Sequence, residues 1–248
     1  MDTNVFITEH NEFIIDSIIN SIKKRVDIEL FKPFVGQNYN LIITGSVGVG
    51  KSTISELIHK ILNDTLNIKT YPEYINYKFG NLLPGLTLFD MMMMNKITPF
   101  TFQSFVFDIW NTLFEENNFK HCNTFNMFER LPFDALDCFV IKNDNLTQDE
   151  KSVLNKRYQK FKVKHNFIEY TDCKKISVYN YDLIECVTEI LDIIKQDLIQ
   201  GVKNRAICLK VDESDYVKRM ISRGRISEQG YKNSTLKTFN DYYNNNFN

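Results

Sequence analysis

The sequence predicts an α/β fold in which a parallel sheet is flanked by helices. Short apolar or β-branched segments alternate with longer amphipathic segments, which is typical of strands joined by helical crossovers. The first such segment, 41–44, leads directly into a glycine-rich stretch and then into an amphipathic helix. The chain contains no internal repeats and no low-complexity linker. These observations favour one domain over residues 39–248, preceded by an N-terminal helical extension over residues 1–38.

The glycine-rich stretch is the strongest motif in the chain. It follows the pattern Gly-x-x-x-x-Gly-Lys-Ser/Thr and comprises Gly45, Ser46, Val47, Gly48, Val49, Gly50, Lys51, Ser52 and Thr53. Glycines allow main-chain N–H groups to point at phosphate oxygens, and a helix N-terminus adds partial positive charge. Lys51 would reach the β- and γ-phosphates, and Ser52 would offer its hydroxyl to Mg²⁺. An incidental glycine-rich turn is the alternative, but the flanking strand and helix favour a phosphate-binding P-loop that binds ATP with Mg²⁺.

The composition disfavours nucleic-acid-binding, membrane and disulfide-rich proteins. The net charge of −1 gives no indication of nucleic-acid or membrane binding. Five cysteines without a Cys-x-x-Cys pair favour buried free thiols over disulfides or zinc ligands. The N-terminal residues lack the pattern of a signal peptide, and no segment approaches the length of a membrane span. We therefore expect a soluble, cytoplasmic protein.

Two segments lie outside the predicted sheet. Residues 5–35 contain apolar residues at helical spacing, which predicts an amphipathic helix that packs on the domain, contacts a partner or lies on a membrane. Packing on its own domain is the simplest of these alternatives; the apolar residues are Phe13, Ile14, Ile18, Ile19, Ile22 and Val26. Residues 142–180 are charged and poor in apolar periodicity, which predicts a surface insertion.

Charged residues follow two of the predicted strands. The segment 68–71 ends at Pro72-Glu73, and the segment 124–128 ends at Glu129-Arg130. Because the carboxyl ends of parallel strands meet at one edge of the sheet, we expect these residues near the P-loop. There Glu129 could hold Mg²⁺ and Arg130 could pair with phosphate. The alternatives are a solvated turn for Glu73 and an ion pair between Glu129 and Arg130 that caps the strand.

Two further segments offer polar groups to a ligand. Gln103 lies on a helix rich in phenylalanine, where its amide could hydrogen-bond a flat base or simply face solvent. Arg219 and Arg223 share a helical face near Arg225, and Gly224 loosens the chain there. A mobile segment of this kind could close over a triphosphate, while a solvated basic face is the alternative.

The order of these motifs resembles the deoxynucleoside kinase family, which includes related viral thymidine kinases. The resemblance covers most of residues 39–243, and only the P-loop is specific by itself. A GTPase is disfavoured because the segment 95–98 lacks the aspartate of Asn-Lys-x-Asp. The matching segments, beyond the P-loop and the strand end at Glu73, are 99–105, 127–130 and 219–228. The resemblance implies a P-loop kinase fold with a helical lid and a homodimer that phosphorylates the 5′-hydroxyl of a deoxynucleoside.

The resemblance also assigns roles to individual residues. Glu73 matches the general base, and Arg130 matches the arginine near the 5′-oxygen. Glu129 matches the carboxylate near the metal, and Arg223 and Arg225 match lid arginines. Gln103 matches the glutamine that hydrogen-bonds the base, and Phe102 and Phe139 match positions of the base pocket. Glu228 matches the lid glutamate that holds the sugar 3′-hydroxyl, and Arg219 matches an ATP-binding position.

Base preference depends on Ala135, where relatives that prefer cytidine or purines tend to carry Asp. Alanine favours thymidine or broad pyrimidine use, although the neighbouring Asp134 and the bulky Trp110 also bear on the pocket. The sequence departs from the family at Tyr74, which replaces proline, at Met92, which replaces a sugar-binding tyrosine, and at Leu131. Tyr77 is a possible substitute for that tyrosine. Two alternatives stay open. A thymidylate-type monophosphate kinase would share the P-loop, the acid–arginine pair at the strand end and the lid arginines, and the departures at Tyr74 and Met92 leave room for a catalytically silent nucleotide-binding module.

Overall fold

The protein is described from a computed structural model. The structure describes residues 3–73, 87–117, 124–165, 173–178, 182–211, 238 and 241–243, without the side chains of residues 3–12 and 117. Its strands are β1 (Tyr39–Gly45), β2 (Ile68–Tyr71), β3 (Phe125–Glu129), β4 (Cys173–Ser177) and β5 (Asn204–Lys210). The α-helices of the described residues are α1 (Thr3–Lys23), α2 (Lys51–Leu62), α3 (Leu88–Met93), α4 (Pro99–Asn117), α5 (Pro132–Asp134), α6 (Gln148–His165) and α7 (Leu183–Gln200). A 3-10 helix (Ile28–Phe34) precedes β1, and a π-helix (Ala135–Ile141) continues α5.

The strands form one parallel sheet in the order β2-β3-β1-β5-β4. The central strand β1 pairs with β3 on one side and with β5 on the other, so the chain leaves β1 at a topological switch point. Ligands of open parallel sheets bind outside the carboxyl ends of the strands at such a point. The loop after β1 is the P-loop. The predicted fold class is confirmed.

Side chains of each strand alternate between two cores because successive residues of a strand point to opposite faces. Leu41 and Ile43 of β1 belong to the first core, which α1, α2 and α7 cover. Ile42 belongs to the second core, which contains α4 and the π-helix. The amphipathic helix predicted after the glycine-rich stretch is confirmed, since the apolar residues of α2 are all buried in the first core: Ile54, Leu57, Ile58, Ile61 and Leu62.

Helix α1 packs on the domain through its C-terminal half. Ile19 and Ile22 of α1, and Val26 just after the helix, are buried in the first core, and α1 contacts α2 and α7. This confirms the predicted packing of the N-terminal helix on its own domain. Phe13 and Ile14 are exposed, contrary to the prediction that they share the packing face.

The prediction of a surface insertion over residues 142–180 is wrong for part of that segment. Residues 173–177 form β4, which pairs with β5 as an edge strand of the sheet. Helix α6 buries Leu154, Tyr158 and Phe161 while its other side chains are largely charged or polar. Because so few apolar residues face inward on a charged helix, the periodicity of α6 is too weak to indicate packing.

The four cysteines within the described residues are buried thiols outside any disulfide, as predicted: Cys138, Cys173, Cys186 and Cys208. Cys122 lies outside those residues. In the described part of the chain, no helix combines the length and the apolarity that crossing a membrane requires.

Gly45 provides the first test of this architecture. A Cβ at Gly45 would lie 2.5 Å from the carbonyl oxygen of Leu209, and the residue has φ of +134°. We expect Gly45→Ala to destabilise the protein by about 3 kcal/mol, because β5 must shift and the backbone is strained. Gly201→Ala is the matched control: it has φ of +72° and open space, so it should cost only about 1 kcal/mol. Urea denaturation measures both, and equal losses would contradict the close approach of β1 and β5.

Candidate active site

The P-loop has the backbone that phosphate binding requires. Gly45, Gly48 and Gly50 have φ of 134°, 82° and 99°, which residues with a Cβ rarely adopt. Gly50 is the N-cap of α2, so the helix N-terminus opens onto the loop. Lys51 is buried, and its Nζ donates to the carbonyl oxygen of Ser46 at 3.0 Å. The loop and its lysine therefore fit a polyphosphate.

The other side chains of the P-loop lie in the two cores or at the surface. Val49 is buried in the first core, and Val47 packs against the second core. The Ser46 hydroxyl is buried with no hydrogen-bond partner among the described residues. Thr53 is exposed on the first turn of α2.

The predicted metal ligands lie together. Ser52 Oγ donates to Glu129 Oε2 at 2.9 Å, which joins the start of α2 to the end of β3. No cluster of three or more His, Cys, Asp or Glu side chains within the described residues could hold a metal ion. A hydroxyl and one carboxylate fit Mg²⁺, which commonly takes one or two protein ligands and completes its shell with phosphate and water.

Arg130 is the centre of the site. It is 2% exposed, its Nη1 forms an ion pair with Glu73, and its Nη2 donates to the carbonyl oxygen of Gly45 at 3.0 Å. The structure therefore brings together the ends of β1, β2 and β3. Arg130 pairs with Glu73 rather than with its neighbour Glu129, and Glu73 is buried rather than in a solvated turn.

The backbone and surroundings of Arg130 hold its side chain inward. Its φ of 62° lies in the left-handed region, and its N–H donates to the carbonyl oxygen of Ile43 at 3.1 Å. The guanidinium carbon lies 5.0 Å from the ring centroid of Phe139 and 5.9 Å from that of Tyr243. Aromatic faces attract a guanidinium at these distances.

The predicted base-pocket residues converge on the second core. The structure places four of them in one buried cluster: Phe102, Trp110, Ala135 and Phe139. Gln103 is 3% exposed, so the alternative of a solvent-facing amide is wrong. Neither Gln103 Oε1 nor Trp110 Nε1 has a hydrogen-bond partner among the described residues. Buried polar atoms normally have partners, so an unpartnered amide oxygen fits a site where a ligand donates.

From the sequence, Asp134 is only a neighbour of the base pocket and Tyr243 has no assigned role, yet both take part in the site. Asp134 is fully buried and accepts from the Thr44 hydroxyl at 2.8 Å and from the Leu131 N–H at 2.9 Å. The Tyr243 hydroxyl donates to Asp134 over a longer 3.5 Å. Burial raises the pKa of Tyr243 well above its ordinary value, so this hydroxyl stays protonated. The sequence offered one signal for Asp134, its position two residues after Pro132 at a helix start, and none for Tyr243 beyond a helix that packs on the core.

Several predicted residues lie outside the described residues. They are the lid positions Arg219, Arg223, Arg225 and Glu228, together with Tyr74 and Tyr77. Met92 is described, and it packs against the second core.

Comparison with solved structures shows the fold. A deoxyadenosine kinase from M. mycoides, solved with bound dATP, aligns with a TM-score of 0.51 over 84% of this chain and 82% of that chain. The two sequences are 17% identical over this alignment, so the similarity establishes the P-loop kinase fold alone. No family model and no curated protein sequence matches the chain.

The Glu73–Arg130 ion pair gives the second prediction. Removing one partner leaves the other charge buried, so Glu73→Gln and Arg130→Met should each destabilise the protein by about 3 kcal/mol. The double variant should lose clearly less than the sum, because no buried charge remains. The matched control is the exposed pair Glu56–Lys60 on α2, whose removal should cost less than about 0.5 kcal/mol. Urea denaturation of the single and double variants of each pair measures the losses in unfolding free energy. Additive losses for Glu73 and Arg130 would contradict the pairing.

Proposed function

We propose that this protein is a deoxynucleoside kinase that transfers the γ-phosphoryl group of ATP to the 5′-hydroxyl of a deoxynucleoside. One observation carries the proposal: the buried guanidinium of Arg130 contacts the P-loop carbonyl of Gly45, the carboxylate of Glu73 and the ring of Phe139. A phosphate loop, a candidate base and an aromatic pocket therefore meet at one cation. The fold shared with the deoxyadenosine kinase from M. mycoides supports this proposal.

The donor side follows from the P-loop. Main-chain N–H groups of residues 46–51 and the amine of Lys51 would bind the β- and γ-phosphates of ATP. Ser52 and Glu129 would hold Mg²⁺, which neutralises charge on the phosphate oxygens when it is bound. We also propose that Arg219, Arg223 and Arg225 close over the phosphates as a lid.

The acceptor side follows from Glu73 and Arg130. The Glu73 carboxylate would accept the proton of the 5′-hydroxyl as that oxygen attacks phosphorus. Arg130 supplies the counter-charge that a buried carboxylate needs, and it would hold the acceptor oxygen in line with the phosphate. Glu228 would bind the 3′-hydroxyl of the sugar.

We further propose that the base is thymine or another pyrimidine. The Gln103 amide would hydrogen-bond the base, and Phe102, Phe139 and Trp110 would pack against it. Ala135 is fully buried and offers no polar atom. The neighbouring Asp134 already accepts hydrogen bonds from Thr44 and Leu131, so its carboxylate is engaged within the protein. Among the described residues, Gln103 Oε1 and Trp110 Nε1 are therefore buried polar atoms that the pocket can offer to the base.

A coupled assay of ADP release with Mg²⁺ and ATP tests the function directly. We expect turnover with thymidine above that with deoxyadenosine or deoxyguanosine, because Ala135 presents no carboxylate to an exocyclic amine and thymine carries no such amine. Deoxycytidine, whose base does carry an amine, tests whether the preference extends to both pyrimidines. Thymidine monophosphate is the control acceptor, since a monophosphate kinase would turn it over instead. Turnover of thymidine monophosphate alone would show that the protein is a monophosphate kinase. ATP binding without turnover of any acceptor would indicate a catalytically silent nucleotide-binding module.

Substitution of Glu73 tests the proposed base. Glu73→Gln should lower kcat by about 10²- to 10⁴-fold, because the amide cannot accept the proton. Affinity for ATP should change by less than about twofold, since the P-loop is intact. The matched control is Glu115→Gln, an exposed carboxylate on α4 that pairs with Lys164 and should retain full activity. Retained turnover in Glu73→Gln would show that another group accepts the proton.

The proposed assembly is a homodimer. Sedimentation equilibrium of the full chain would test it, with a mass of twice the single chain as the expected result.

A further inference from the structure

The C-terminal segment reaches the same cation. Residues 241–243 are helical, and the side chains of Tyr242 and Tyr243 are both buried. The main-chain carbonyl of Tyr243 accepts a hydrogen bond from the Cys208 thiol of β5 at 3.9 Å, which places this segment against the sheet. A segment far along the chain from the P-loop is thus part of the second core.

The contacts of Tyr243 differ from those of its neighbour. The ring of Tyr243 lies under the Arg130 guanidinium, and its hydroxyl donates to Asp134. Tyr242 instead donates to Asp137 at 3.4 Å, and its ring lies 5.4 Å from the Lys142 amine. The two rings pack edge to face with centroids 5.0 Å apart. Adjacent tyrosines of one segment therefore have different hydrogen-bond partners, and the ring of Tyr243 contacts Arg130.

Arg130 needs support from its surroundings. Its Nε has no hydrogen-bond partner among the described residues, so the guanidinium is fixed by Glu73 and Gly45 at its far end only. The guanidinium also lies against the rings of Phe139 and Tyr243. Rings on a planar cation restrict its tilt without competing for its donors.

We propose that Tyr243 is a positioning residue that orients Arg130 toward the acceptor oxygen, and that Asp134 holds Tyr243 in place. This inference rests on the proposed function, because it assumes that Arg130 acts on the acceptor. Asp134 links Tyr243 to the strand ends around Arg130. Its carboxylate also accepts hydrogen bonds from the Thr44 hydroxyl of β1 and from the N–H of Leu131, the residue after Arg130. The docking of residues 241–243 is thereby linked to the geometry of phosphoryl transfer.

The test is a set of variants of the full chain, measured by steady-state kinetics with the best nucleoside acceptor. Tyr243→Met keeps most of the volume but removes the aromatic face, and we expect kcat to fall about tenfold with KM for ATP changed by less than about twofold. Tyr243→Phe keeps the ring and should stay within about threefold of the wild type. Asp134→Asn removes the charge that holds the hydroxyl and should lower kcat about threefold. Tyr242→Phe is the matched control and should retain full activity.

Coupling to Arg130 separates positioning from a structural role. The double variant Arg130→Lys/Tyr243→Met should have a kcat less than about twofold below that of Arg130→Lys alone, because a lysine ammonium has no planar face for the ring to orient. Unchanged kcat in a folded Tyr243→Met variant, or the same tenfold loss in both backgrounds, would overturn the role of Tyr243. If Tyr243→Met does not fold, Asp134→Asn in the two backgrounds makes the same comparison. Absence of turnover by the wild type would instead contradict the proposed function itself.

Discussion

A buried positive charge organises this protein. The guanidinium of Arg130 is removed from water, so it must find an opposite charge and acceptors inside the structure. It finds Glu73 after β2 and the carbonyl of Gly45 at the end of β1, while Arg130 itself follows β3. These contacts require three strand ends to meet at one edge of the sheet. The phosphate loop, the candidate base and the aromatic pocket are neighbours because this charge must be satisfied.

The two faces of the sheet differ in chemistry, and the difference suits the proposed activity. The first core is largely aliphatic, with α1, α2 and α7 packed on it. The second core is rich in aromatic residues and contains the pocket positions, including Phe102, Trp110 and Phe139. Aliphatic side chains interlock and make a rigid support for the P-loop helix. Flat rings, in contrast, offer broad faces against which a planar base can pack.

Hydrogen bonds at the amino-terminal ends of the strands fix the strand register on which the site depends. Asn126 donates to Asn40 at 2.9 Å, and Asn40 donates to Asn204 at 2.7 Å, so amides link β3, β1 and β5. Nearby, Asp197 of α7 accepts from Tyr39 and Arg205. A register shift of one residue would break these hydrogen bonds and move the side chains of the shifted strand to the opposite face of the sheet. The same register places Glu129 opposite Ile43, which brings the Arg130 N–H to the Ile43 carbonyl.

The sequence by itself determined the parallel α/β fold, the P-loop and the edge where the strand-end charges lie, because periodicity and motif spacing are local properties of the chain. It also indicated that Gln103 belongs to an aromatic helix. It did not determine the membership of β4 in the sheet, since a short edge strand within a charged segment has almost no periodic signal. Only the tertiary structure decided that Arg130 pairs with Glu73 rather than with Glu129, and that Tyr243 and Asp134 surround it. Contacts between residues far apart in the chain depend on how the layers pack, which no local pattern records.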